Sequence, residues 1–268
     1  MDIKRLLSAI LGLPIVIAIF LFGNKYLIDI SMAVVAIISL HEYYNAFSEY
    51  KTIRWIGYLT ATLISIIHFI PNLNIFATIG ISVPIIIILL FIELIIKNLK
   101  INIVDLAISL IGIFYVVLFI LFIPLLICSE NGKILIWYAI IAAWGTDTCA
   151  YMAGKVFKLG KHKFSKISPN KSIEGCVSGL VGTVLLTVLY TFCLKHFNII
   201  DISYIKIIII SIILSIIGQF GDFSASSIKR FVGIKDYSNL IPGHGGLLDR
   251  IDSLIFIAPI AYILFIGI

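Results

Sequence analysis

The sequence predicts an all-α, polytopic integral membrane protein of about nine transmembrane helices, with its N-terminus on the cytoplasmic side. Three observations carry that prediction. First, 61% of the 268 residues are hydrophobic and 13% are charged. An average soluble domain is roughly 45–50% apolar and about 25% charged, and one water-soluble core cannot bury such an excess. Second, the apolar residues fall into nine runs, most of them near the ~20 residues a helix needs to cross a bilayer. Third, the basic residues cluster on one side once those runs are threaded alternately through a membrane. Intrinsic disorder is excluded, since it needs low hydrophobicity and high charge. Nine spans leave too little chain for a separate soluble domain. The sequence therefore reads as a single membrane domain over 1–268, with N-terminal helices to about 128 and the chemistry over about 134–268.

The runs lie at about 6–22, 27–47, 54–70, 75–96, 103–128, 134–153, 175–196, 204–222 and 250–268. The first follows Lys4 and Arg5 and so resembles a signal peptide, but no small-x-small cleavage site follows and eight further runs do. It is read as the first helix. The third run is short. With the N-terminus inside, sixteen of the twenty Lys and Arg residues fall in inside segments, leaving only Lys25, Lys133, Lys195 and Lys206 outside. Dropping an internal run would scatter the later basic loops, so the positive-inside bias supports both count and orientation. The net charge of +6 is read in the same way, as loops facing an anionic leaflet, and not as a nucleic-acid surface. Cys128, Cys149, Cys176 and Cys193 show no CxxC spacing and read as buried small hydrophobes. Asp29, Glu42 and Asp105 sit near run ends, where interfacial anchoring explains them. Glu93 and Lys97 form an i, i+4 pair with a structural role.

Two inside segments are unlike connectors. The first runs from Trp144 through Asp147, Thr148, Tyr151 and Lys155 to Ser168, Pro169, Lys171 and Glu174. Asp147 lies about two turns inside a helix end, where a carboxylate costs free energy unless it faces a polar cavity and finds a partner. Thr148 and Tyr151 are candidate hydroxyl partners. The second segment runs from Gly221 to Asp252 and is dense in Gly, Ser, Lys, Arg and Asp. Glycines around His244 permit close backbone approach, and a turn entering a helix points N–H groups at a bound anion. Asp249 and Asp252 are spaced i, i+3 and share a helix face. Asp222 ends the preceding run. Carboxylates converging beside Lys and Arg suit a hard divalent cation with phosphates.

The residues of these two segments carry a resemblance. Ser226-x-Ile228-Lys229-Arg230, Lys235-Asp236-x-Ser238, Ile241-Pro242-x-His244-Gly245-Gly246-Leu247 and Asp249-Arg250-Ile251-Asp252 together resemble the signature of the phosphatidate cytidylyltransferase (CDP-diacylglycerol synthase) family. Asp147-Thr148-x-Ala150-Tyr151, Gly154-Lys155, Ser168-Pro169-x-Lys171-Ser172 and Glu174-Gly175 resemble its second stretch, with Ser172 where the family commonly has Thr and Ile173 where it has an aromatic. The sharp resemblance covers about residues 144–252. The N-terminal half matches loosely, in helix count and in His41-Glu42-Tyr43-Tyr44.

The resemblance implies the reaction CTP + phosphatidic acid → CDP-diacylglycerol + pyrophosphate, dependence on Mg²⁺ with a monovalent cation such as K⁺ beside it, and a homodimer in a bacterial inner membrane with the active site facing the cytoplasm. Catalytic roles fall on Asp222, Asp249, Lys229, Arg230 and His244. Substrate contacts fall on Lys171, Lys235, Gly245, Gly246 and Arg250, and metal ligation on Asp222, Asp249, Asp147 and Asp252. Two alternatives stand beside this reading: a CTP-dependent polyprenol or dolichol-type lipid kinase, and a transporter using the intramembrane acids. Repeat halves expected of a transporter are not seen in the sequence.

Overall fold

The structure is a computed structural model that describes residues 3–70, 73–98, 100–156, 168 and 171–267. Among these residues there are nine helical segments and no strand. They are α1 (Ile3–Phe22), α2 (Lys25–Ala46), α3 (Arg54–Leu63, continued as 3₁₀ helix over Ile64–Phe69), α4 (Ile75–Ile96), α5 (Ile103–Ile127), α6 (Gly132–Val156), α7 (Ile173–His196), α8 (Tyr204–Phe231) and α9 (Leu248–Ile266). The all-α reading and its nine elements hold. Six of them, α2 and α4–α8, are long and apolar enough to cross a membrane. The short third run reaches further than its residue count suggests. Ten α-helical residues followed by six with the steeper 3₁₀ rise span about 27 Å.

Two helices outrun the apolar stretches that announce them. The run expected to end at 222 is a helix to Phe231, and α6 reaches Val156. Hydropathy marks where a helix leaves apolar surroundings, not where its backbone ends. Nothing after Asp222 breaks a helix until Gly233, which adopts φ +73°. Asp222, Lys229 and Arg230 therefore stand on α8, with the two basic residues in its last turn, where cations suit the helix dipole.

The chain forms two compact units. The first comprises 1–124 and 232–250. Its core sets Tyr43 and Tyr44 of α2 against α5: the Tyr44 hydroxyl donates to Ser109 O (3.2 Å) and that of Tyr43 to Ile108 O (3.4 Å). Ile53, Ile56, Ile86, Leu90, Leu106 and Ile113 pack beside them. Three acids expected at the interface are instead buried and used as struts. Asp29 accepts from the His68 backbone N–H (3.0 Å) and meets its Nδ1 (2.8 Å). Asp105 closes a capping box with Asn102 and accepts from Lys51 N–H at 3.0 Å. Glu42 accepts from the Leu247 and Leu248 N–H groups. Glu93 and Lys97 do pair, at 3.4 Å.

The second unit comprises 125–231 and 251–268. Here α6, α7 and α8 are joined by a seam of buried hydroxyls. Thr146 Oγ1 meets Thr183 Oγ1 at 2.7 Å and Ser215 Oγ at 2.9 Å, Thr187 meets Ser211 at 2.6 Å, and Tyr138 meets Thr191 at 2.8 Å. Apolar packing gains little between helices in lipid, so small residues and hydroxyl bonds hold them together. Gly179 shows the spacing involved: a Cβ there would lie 2.6 Å from Thr146 O. The cysteines depart from expectation. None is in a disulfide, but none is fully buried and Cys193 is exposed. On a membrane helix an outward position faces acyl chains, so a thiol there need not be buried.

Candidate active site

In the second unit the site begins with the backbone of α6. Its residues Ile141–Gly145 form a π-helical turn, one residue wider than the α-helical turn. Such turns recur at functional sites. The insertion resets the helix phase so that Thr146 points into the hydroxyl seam while Asp147, next to it, is exposed. Asp147 is thus not the desolvated carboxylate the sequence suggested, and Thr148 and Tyr151 are exposed beside it.

Asp147 pairs with Lys171, two residues ahead of α7, with Nζ 3.7 Å from Asp147 Oδ1. The same ammonium pairs with Asp222 Oδ2 of α8 and lies 5.1 Å from the centre of the Phe223 ring. Burial works to lower the pKa of Lys171, but the carboxylates of Asp222 and Asp147 outweigh it and hold the ammonium above its ordinary range. Asp252 on α9 is buried, accepts from Ser253 N–H at 2.7 Å, and lies within electrostatic reach of Asp222, Asp147 and Lys229. Lys229 stands seven residues beyond Asp222 on α8, two turns along the same face. Arg230 beside it is exposed.

The remaining predicted residues belong to the first unit, in the segment 232–250. Lys235 and Arg250 are exposed. A tight turn runs from Ile241 to Gly245, closed by Ile241 N–H to Gly245 O and His244 N–H to Ile241 O, both 2.9 Å. Gly245 sits at φ +87°, in the left-handed region that favours glycine. Asp249 is buried, and its Oδ2 accepts from Tyr237 N–H (2.8 Å) and Gly246 N–H (3.0 Å).

This arrangement corrects one expectation. The N–H groups of the turn do not wait for an anion: Gly246 donates to Asp249, while Leu247 and Leu248 donate to Glu42 at 2.9 and 2.7 Å. Among the described residues no group of three or more His, Cys, Asp or Glu is arranged to hold a metal. Asp249 is engaged by backbone donors, whereas Asp147 and Asp222 share one ammonium. Lys158, Lys161, Lys163, Lys166, Pro169 and Asn170, part of the first predicted segment, lie outside the described residues.

Sequence reasoning missed Glu42. Its signal was present, a carboxylate near the end of an apolar run, where it costs free energy unless satisfied. The donors that satisfy it are about two hundred residues away. Gly145 apart, the residues of the π-turn of α6 are ordinary in an apolar helix, so composition does not announce the turn.

Comparison with known proteins gives the constellation its family. A sequence model of the cytidylyltransferase family matches residues 3–266. A phosphatidate cytidylyltransferase of Staphylococcus haemolyticus is 34% identical over 270 residues, covering 98% of each chain. Its namesake in Staphylococcus saprophyticus is 35% identical over 272 residues, covering 98% of this chain and 99% of that protein. One from Bacillus subtilis is 40% identical over 137 residues, about half of each chain. The chain with these paired aspartates and this glycine turn belongs to the cytidylyltransferase family.

Proposed function

We propose that this membrane protein joins CTP to phosphatidic acid, releasing CDP-diacylglycerol and pyrophosphate in phospholipid biosynthesis. The observation that carries this reading is the near-complete coverage: relatives named for that transfer align along 98% of the chain. The same names speak against the lipid-kinase and transporter alternatives.

In the reaction, a phosphate oxygen of the lipid forms a bond to the α-phosphorus of CTP while the bond to the β-phosphate oxygen breaks. Both reactants are anions, so positive charge must gather where they meet. Lys171 and Lys229 of the second unit supply it, and the Arg230 guanidinium offers a bidentate fork to phosphate oxygens. Lys235, Arg250 and the ring of His244 are the corresponding substrate contacts on the 232–250 segment. The lipid phosphate is largely ionised near neutrality, so a strong base is not required of His244.

Asp147 and Asp222 are hard oxygen donors already drawn to one cation, the Lys171 ammonium. That chemistry fits Mg²⁺, which takes one or two carboxylates and fills its other positions with water and phosphate oxygens. These two residues would hold the ion, with Asp252 adding negative charge nearby. When bound, it neutralises the triphosphate and the departing pyrophosphate. Asp249, already used by the backbone, is assigned to the loop in this reading and not to the metal. A monovalent cation, a homodimer, an inner-membrane location and a cytoplasmic-facing site complete the proposal.

The deciding experiment supplies purified protein in detergent with Mg²⁺, phosphatidic acid and CTP labelled at its α-phosphate. Label should enter the lipid with release of pyrophosphate; label recovered only in CDP would mean a kinase. Impermeant thiol labelling of cysteines placed in the 155–171 and 229–247 segments tests the facing. Reaction from outside intact cells would overturn it.

A further inference from the structure

We infer that Glu42 is a positioning residue for the reaction: its carboxylate clasps the 237–248 segment in a single register. It does so from α2, about two hundred residues earlier in the chain. Glu42 is 4% exposed. Oε1 accepts from the Ser238 hydroxyl at 2.6 Å and from Leu247 N–H at 2.9 Å, and Oε2 accepts from Leu248 N–H at 2.7 Å.

Leu247 and Leu248 stand at the start of α9, where the first N–H groups of a helix have no partner within it and a negative charge is favoured. Glu42 is therefore the cap of α9, supplied from another helix. Asp249 secures the same segment from within by taking Tyr237 and Gly246 N–H. The two carboxylates together fix four backbone N–H groups and one hydroxyl between residues 237 and 248. Gly246 is an independent sign of the fit. A Cβ at that position would come 2.7 Å from Glu42 Oε2 and 2.9 Å from its Cδ, so glycine there leaves room for the carboxylate itself.

The link to turnover rests on the proposed reading that the segment carrying Lys235, His244 and Arg250 touches substrate. A register error of about 1 Å far from the chemistry can cost on the order of a hundredfold in rate. Glu42 touches no reacting group in this assignment. It acts through the loop.

The test uses full-length protein in detergent and compares wild type with Glu42→Ala, Glu42→Gln and Gly246→Ala. Amide hydrogen exchange over residues 233–250 should quicken about tenfold or more in Glu42→Ala, as donors lose a charge-assisted bond, while exchange across α6–α8 stays as in wild type. Turnover per folded molecule should fall by about a hundredfold in kcat, with KM for CTP little changed. Glu42→Gln, which keeps one acceptor oxygen, should recover part of both readouts. If Glu42→Ala does not fold, Gly246→Ala disturbs the same clasp by one methyl group and carries the same expectations. Exchange unchanged over 233–250 would overturn the clasp. Faster exchange with kcat intact would leave the clasp standing but overturn both its role in turnover and the reading of this loop as catalytic. Faster exchange everywhere would reduce Glu42 to a general stabiliser and also overturn the inference.

Discussion

Two pairs of carboxylates, one pair in each unit, are held in opposite ways. In the first, Glu42 and Asp249 are surrounded by backbone N–H groups of a turn and a helix start. In the second, Asp147 and Asp222 meet the ammonium of one lysine. Backbone donors cannot leave without unwinding the segment that bears them. A lysine has a long flexible stem and can swing aside, passing its carboxylates to a metal ion or its charge to a phosphate. The first arrangement suits holding a shape and the second suits exchange, although the residue type is the same and both sets lie within or against the family signature. That contrast explains why Asp249 and Asp222, equal candidates in the sequence, are assigned different work.

The largest expected effect tests the exchangeable pair. Asp222→Asn should lower cytidylyl transfer by at least about a hundredfold while the thermal midpoint stays near that of wild type, because Lys171 keeps Asp147. A large loss of thermal stability would break the contrast by making Asp222 a strut. Asp249→Asn should do the reverse in emphasis. Neutralising an acceptor of two buried N–H groups should cost about 1–3 kcal/mol of stability, visible in thermal unfolding, with turnover falling as the loop loosens. Unchanged stability would return Asp249 to the candidates for direct metal binding.

Smaller effects sharpen the picture away from the site. Thr183→Val removes a hydroxyl from the α6–α8 seam and should cost about 0.6 kcal/mol, since such bonds within membranes are modest; thermal unfolding in detergent measures it. Lys97→Ala breaks the Glu93 pair on a half-exposed surface and should shift stability by no more than about 0.5 kcal/mol. A loss of several kcal/mol at either position would mean that the fold leans on polar bonds more than its apolar contacts imply.

Much of this architecture was legible in the residues. The helix count follows from apolar runs, because a bilayer imposes one length on whatever crosses it. The Glu93–Lys97 pair follows from helix periodicity. The two charged segments stand out because polar residues are scarce elsewhere. What was not legible required contacts remote in sequence. Lys171 reads as one basic residue among several until folding sets it beside Asp147 and Asp222. Glu42 reads as an interfacial acid until the start of α9 is laid against it. The extension of α8 through Arg230 was hidden because its last turns are polar yet fully compatible with helix.

The sequence by itself determined the helical class, the division into apolar and charged parts and, through the signature from Ser226 to Asp252, the kind of chemistry. Each depends on local composition or on spacing along the chain, which a string of residues records. The tertiary structure alone decided which carboxylates are tied to backbone and which face a displaceable cation. That choice is made by donors up to two hundred residues distant. A carboxylate accepts a hydrogen bond from an N–H and from an ammonium alike, so only the fold determines which of them arrives.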